Sequence, residues 1–288
     1  MVERRQIDSL REFWGEVSKV HRQWVRRYTD RKQGDVEWIP WFRGEPSSRC
    51  STVLKPTLYR PEGRKKKDFL HAEQELRLEF RRRGVQLIVG RPPADKWEWY
   101  FLMAHHGAPT RLLDWTDGAL VALYFAVTSA QRWKGKEGPG DAAVYLLDPW
   151  WLNDQVFKQT PSRKKNRPEG VVLPEWEEST AYLPDELDSE DLGPRLALAI
   201  DPSHVSSRVA AQRSRFVIFG RDPKALQSML AKDGSRLVQV LVKRVALGRI
   251  IRELEICGIS ESTIFPDFDG LGRELDQTWK RKYLSGDS

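Results

Sequence analysis

Cysteine is scarce in this chain, and its scarcity narrows the chemistry. Two thiols in 288 residues, Cys50 and Cys257, exclude a disulfide framework and a thiolate zinc site. No stretch approaches the ~18 consecutive apolar residues of a membrane span. The opening MVERRQIDSL has no hydrophobic core of the kind a secretory leader needs. The expected compartment is therefore the cytoplasm, with no membrane partner. A Walker P-loop, a G-x-G-x-x-G after a strand, a G-x-S-x-G elbow and an H-E-x-x-H pair are all missing. These absences argue against P-loop nucleotide hydrolysis, Rossmann redox chemistry and zinc proteolysis. Internal repeats and long Gly/Ser linkers are missing too.

What remains is an ordinary globular composition, 40% hydrophobic and 31% charged, with a formal net charge of +7. The charge is unevenly placed. Residues 60–91 hold ten basic and five acidic side chains, including Arg64-Lys65-Lys66-Lys67 and Arg81-Arg82-Arg83, whereas 169–191 hold nine acidic and no basic ones. The basic region is either a solvated helix face or a surface that tracks phosphates, so a nucleic-acid partner is one reading.

Leu10, Phe13, Trp14, Val17, Val20 and Trp24 recur at helical spacing and predict an amphipathic opening helix. Val36 to Gly44 reads as a strand ending at a glycine. Phe69, Ala72, Leu76 and Phe80 mark a second helix, and Asp95 can cap a third that carries Trp97, Tyr100 and Phe101. Thr116 or Asp117 then caps an apolar helix from Gly118 to Gln131. Strands are expected at 142–147, 196–200, 215–219 and 237–245, and helices at 223–231 and 249–257. Residues 158–193 have little periodicity and read as a loop or insertion. Helices and strands mix without strict alternation. The expected fold is a single α+β domain with a mixed, mostly antiparallel sheet and flanking helices.

The densest polar cluster, His105 to Thr116, abuts the apolar helix, where polar groups need partners. Arg43 leaves a strand at Gly44-Glu45. Its guanidinium can hold a phosphate or carboxylate, or it can lock the turn by pairing with a buried carboxylate such as Asp114. Adjacent histidines point apart on a helix, so His105 and His106 predict no shared metal. His106, next to Gly107, is the better candidate for a cleft. Arg111 and Asp114 are candidates for an internal salt bridge. Gln212, ahead of the strand at 215–219, offers a donor and an acceptor at a cleft rim. The candidate site thus comprises Arg43, Gln212 and His106 in catalytic roles, with Gly44, Glu45, Thr110, Arg111, Asp114 and Thr116 binding a ligand.

These segments together resemble the FRG domain family, named for a Phe-Arg-Gly tripeptide that stands here as Phe42-Arg43-Gly44. The resemblance includes Trp41 to Pro46, Leu54 to Leu58, the helix with Glu73 and Phe80, His105 to Thr116, Ala122 to Ala126, Ala143 to Tyr145, Ala211-Gln212 before Phe216, and Ile264 to Asp267. It implies an N-terminal helical segment at 1–35, an FRG domain over 36–275 and a tail at 276–288. A second resemblance is to ADP-ribosyltransferases of the Arg-Ser-Glu type, in the order of Arg43-Gly44 followed by Thr110 to Ala126. It implies an ADP-ribosyltransferase-like fold, NAD or a related nucleotide as ligand, Arg43 on its phosphate or ribose, and Thr110 or Thr116 in support. The late Glu-x-Glu of that family has no counterpart; Gln212 stands near its expected place, and Glu45 lies on a different element. The alternatives are a nucleic-acid-binding module and a protein-interaction or sensor module, for instance in phage defence.

Overall fold

The computed structural model describes residues 3–29, 38–49, 54–61, 66–88, 90–133, 140–159, 170–187, 193–203 and 206–283. The strands are β1 (Glu3–Ile7), β2 (Trp41–Glu45), β3 (Leu112–Thr116), β4 (Ala142–Leu147), β5 (Ala197–Ile200), β6 (Ser214–Phe219) and β7 (Leu237–Val242). The first helices are α1 (Leu10–Thr29), α2 (Lys66–Gly84), α3 (Lys96–His105), α4 (Ala119–Gln131), α5 (Pro149–Gln159) and α6 (Glu177–Thr180). Then come α7 (Ser207–Ala211), α8 (Ala225–Lys232), α9 (Leu247–Ile256), α10 (Glu261–Ile264) and α11 (Phe268–Tyr283).

One seven-stranded sheet runs in the order β1-β7-β4-β2-β3-β6-β5. Every pairing is antiparallel except β1 with β7, so the sheet is mixed and the fold is α+β, as expected. Helices α1, α4 and α9 pack on one face through residues such as Val20, Leu123 and Ile250, and α3, α5 and α8 pack on the other through Phe101, Leu152 and Leu226. No helix among the described residues is long and apolar enough to cross a membrane.

Local sequence explains the elements that frame the site. Asp95 caps α3, its Oδ1 accepting from the Glu98 amide at 2.8 Å. Helix α4 is apolar on nearly every side because it lies in the interior, where no polar stripe is needed. It crosses β2 at Gly44, and a Cβ there would stand 2.1 Å from the Ala122 carbonyl oxygen. The FRG glycine therefore exists for helix–strand contact.

The strand expected at 36–44 begins later, at Trp41, and Val36 lies outside the described residues. Several described residues of 158–193 join the fold. Helix α5 reaches Gln159, Val172 bridges Ile200, and Tyr182 and Leu183 are buried. Strand β1 and helix α11 were not anticipated.

A break in the sheet positions the site. Strands β2 and β3 share one registered pair, Phe42 with Thr116, whereas β2–β4 share five and β3–β6 share five. The two halves of the sheet part at that line.

Candidate functional site

A cleft of about 360 Å³ opens where β2 and β3 diverge. Arg43 and Gly44 come to it from β2, Asp114 and Thr116 from β3, His105 from the end of α3 and Gln212 from the end of α7. Phe125 and Phe265 form an apolar wall, edge to face with ring centroids 6.0 Å apart.

Arg43 is held on two sides. Its Nε donates to Glu45 Oε1 at 2.6 Å and its Nη1 to the Asp114 carbonyl at 2.6 Å. Burial opposes the charge, but Glu45 and Asp114 outweigh it and keep the guanidinium above its ordinary pKa. Arg43 and Glu45 are both largely enclosed, so the pair fixes Arg43 in the cleft wall. The Asp114 carboxylate differs. It lies 4.0 Å from Arg43 Nη1, and its side chain is 65% exposed to the cleft. The cleft thus presents a braced cation beside an accessible carboxylate.

Thr116 Oγ1 donates to the Gln212 carbonyl at 2.7 Å and accepts from the Gly118 amide at 2.9 Å, tying β3 to both α7 and α4. Arg213, with φ 49°, turns the chain from α7 into β6 and leaves Gln212 on the cleft. Gln212 Nε2 donates to the Ile264 carbonyl at 3.3 Å. Arg208 lines the rim, paired with Asp267 and lying over the Phe265 ring at 5.4 Å.

Of the expected site residues, Glu45 holds Arg43 without lining the cleft, and three lie elsewhere. His106 is exposed and lines a second, more apolar cavity of about 620 Å³ between α2 and α3; its neighbour His105 lines the cleft. Thr110 is buried outside the cleft, its amide donating to Thr57 Oγ1 at 3.2 Å. Arg111 is fully buried and pairs with Glu73 of α2, not with Asp114. The Glu73 carboxylate also accepts from Tyr100 Oη and, at 2.8 Å, from the Arg111 amide. Arg111 Nη1 and Nη2 donate to the carbonyls of Phe219 and Tyr182 at 2.8 and 2.6 Å. This network is core architecture.

His105 had a signal in the sequence: it follows Trp97 and Phe101 at four-residue steps on the inward side of α3. Burial, reinforced by His106 and Arg208, lowers its pKa from 6.5 to about 4. The unfolded chain therefore binds more protons than the native one between those values. The stabilisation is full above pH 6.5 and declines as pH falls toward 4. Urea midpoints measured at pH 7 and pH 5 should show this loss, and His105→Phe should flatten it; an equal loss in the variant would assign it to other groups.

His105 and Trp115, both lining the cleft, each carry a buried ring nitrogen with no partner among the described residues. Such nitrogens can meet polar atoms of a ligand. No group of three or more His, Cys, Asp or Glu among the described residues is placed to hold a metal ion.

The basic region at 60–91 is partly neutralised. Arg77 pairs with Asp185, Arg82 and Arg83 with Glu79, and Arg91 with Glu98. The side chains of Arg64 to Lys67 lie outside the described residues.

A family model described as the FRG domain matches residues 39–134. No curated protein and no solved structure matches the chain. The matched span runs from just before β2 to just beyond α4, and it carries Arg43, Asp114 and Thr116 of the cleft as well as the Glu73–Arg111 pair beneath it. The likeness to the FRG domain covers residues 39–134, a third of the chain.

Proposed function

We propose that the cleft binds NAD or a related nucleotide and that the chain acts on it as an ADP-ribosyltransferase-like enzyme. The observation that carries the reading is the convergence of Arg43, Asp114, Thr116 and Gln212 on one concavity at the parting of the sheet. Its volume lies within the usual range for small-molecule sites. Arg43 is the phosphate or ribose ligand, pre-oriented by Glu45 so that little side-chain freedom is lost on binding. Phe125 and Phe265 supply the apolar surface on which a planar base can rest.

Asp114 takes the role that a glutamate on a late strand would fill. When the bond between ribose and nicotinamide breaks, the electron pair leaves with nicotinamide and positive charge develops on the ribose. A carboxylate open to the cleft stabilises that charge, and water or another nucleophile then closes on the ribosyl carbon and releases a proton. Gln212, as an amide, can hold a ribose hydroxyl but cannot supply the charge.

Incubation of the purified chain with NAD, read by chromatography for free nicotinamide and by calorimetry for binding, tests the reading directly. Binding and release are expected, with Arg43→Ala weakening binding by about tenfold to a hundredfold through loss of charged hydrogen bonds. The absence of both binding heat and nicotinamide release from the wild-type chain would falsify it. A thermal melt of Arg43→Ala separates lost contact from lost fold, because that change leaves Glu45 without its cation.

A further inference from the structure

Helix α11 is docked the wrong way round for a helix that ends at water. Phe268, Leu271, Leu275, Trp279 and Tyr283 recur every three or four residues, so they share one side. That side faces solvent: Phe268 is 92% exposed, Leu275 60% and Trp279 50%. The opposite side holds the protein by polar contacts. Arg273 Nε pairs with Glu261 at 2.6 Å, and Arg281 Nη1 with Glu255 at 2.9 Å. Glu274 Oε2 accepts from Ser260 Oγ and the Ser262 amide, both at 2.7 Å. Gly270 is buried, and a Cβ there would stand 2.0 Å from the Phe265 carbonyl oxygen. The polar side is spent on docking and the apolar side is left open, the reverse of an ordinary surface helix.

We infer that this stripe is the interface of a homodimer, in which α11 packs antiparallel against α11 of a second copy about a two-fold axis near Leu275. Charge selects that occupant and that direction. Asp269 lies near the first end of the helix and Lys282 near the last, while Lys280 pairs within the helix with Asp276. Antiparallel pairing sets the acidic end of each copy against the basic end of the other, and a two-fold makes the contact self-complementary. In the same register Leu271 meets Trp279 of the other copy, and Leu275 meets its own counterpart. The 16-residue helix is about 24 Å long. An anionic membrane fits less well, because Asp269 and Asp276 border the stripe where such a surface would require cations.

Sedimentation equilibrium of the full chain is the test. The wild type should weigh twice its 33.4 kDa monomer and dissociate on dilution. Leu275→Glu should raise the dimer Kd on the order of thirtyfold or more, with an unchanged circular dichroism spectrum because the residue already faces solvent. Lys282→Glu should weaken the dimer, and Asp269→Lys in the same chain should restore it, which a parallel pair could not do. A wild type that stays monomeric at its highest soluble concentration overturns the inference. So does a monomer that floats with vesicles of phosphatidylcholine and phosphatidylglycerol through this stripe, or a Leu275→Glu variant that remains fully dimeric. The inference is independent of the nucleotide reading, since mass is measured without NAD.

Discussion

Arg111→Ala should cost the fold about 3–5 kcal/mol, read as a shift of the urea midpoint at constant slope. Arg111 and Glu73 have no exposed side-chain surface, and the guanidinium answers the Glu73 carboxylate as well as the carbonyls of Phe219 and Tyr182. Removing it leaves a carboxylate in the core with only Tyr100 Oη and a backbone amide, and leaves two carbonyls each short of a donor. Burying an uncompensated charge is the dominant penalty, larger than the lost packing. The double change Arg111→Met with Glu73→Leu should be milder than Arg111→Ala, because it removes both charges and keeps volume. A loss below about 1 kcal/mol, the scale of an exposed pair, would show that the pair is far better solvated than its burial implies.

Asp114→Asn is expected to lower nicotinamide release by about a hundredfold to a thousandfold while leaving NAD affinity within a few fold. The amide keeps the shape of the side chain and loses the charge that the ribosyl cation needs. Stability should hardly change, because the side chain is open to the cleft and its one ion-pair partner among the described residues, at 4.0 Å, is Arg43, which Glu45 already compensates. Undiminished turnover in Asp114→Asn would remove Asp114 from the chemistry even if NAD binds. Reduced turnover together with a lower melting temperature would instead mark it as a brace for Arg43.

Short-range signals in the sequence carried a good deal of this. The capping aspartate of α3, the apolar α4 and the continuous run of β4 all lie within a few residues of their causes, whereas Gly44, which reads as a strand end, sits inside β2 because α4 crosses there. The elements that escaped depend on distant partners. Strand β1, Glu-Arg-Arg-Gln-Ile, has no apolar alternation and forms by pairing with β7, more than 230 residues away. The counter-ion of Arg111 sits 38 residues upstream on α2, so local spacing favours Asp114, three residues away. The choice between His105 and His106 turned on which side of α3 faces the parting of the sheet, and that follows from packing. Helix α11 has a clear periodicity, but two glycines interrupt it, and the docking of its polar side depends on Glu255 and Glu261.

Strand β3 starts immediately after Arg111 and carries Asp114 three positions on, a span of about 10 Å of extended chain. It is a short lever with its fulcrum in the driest part of the molecule and its working end in the open. Warming that loosens the fulcrum therefore blurs the aim of the carboxylate while the sheet still stands, and competence at the cleft should fade before cooperative melting begins.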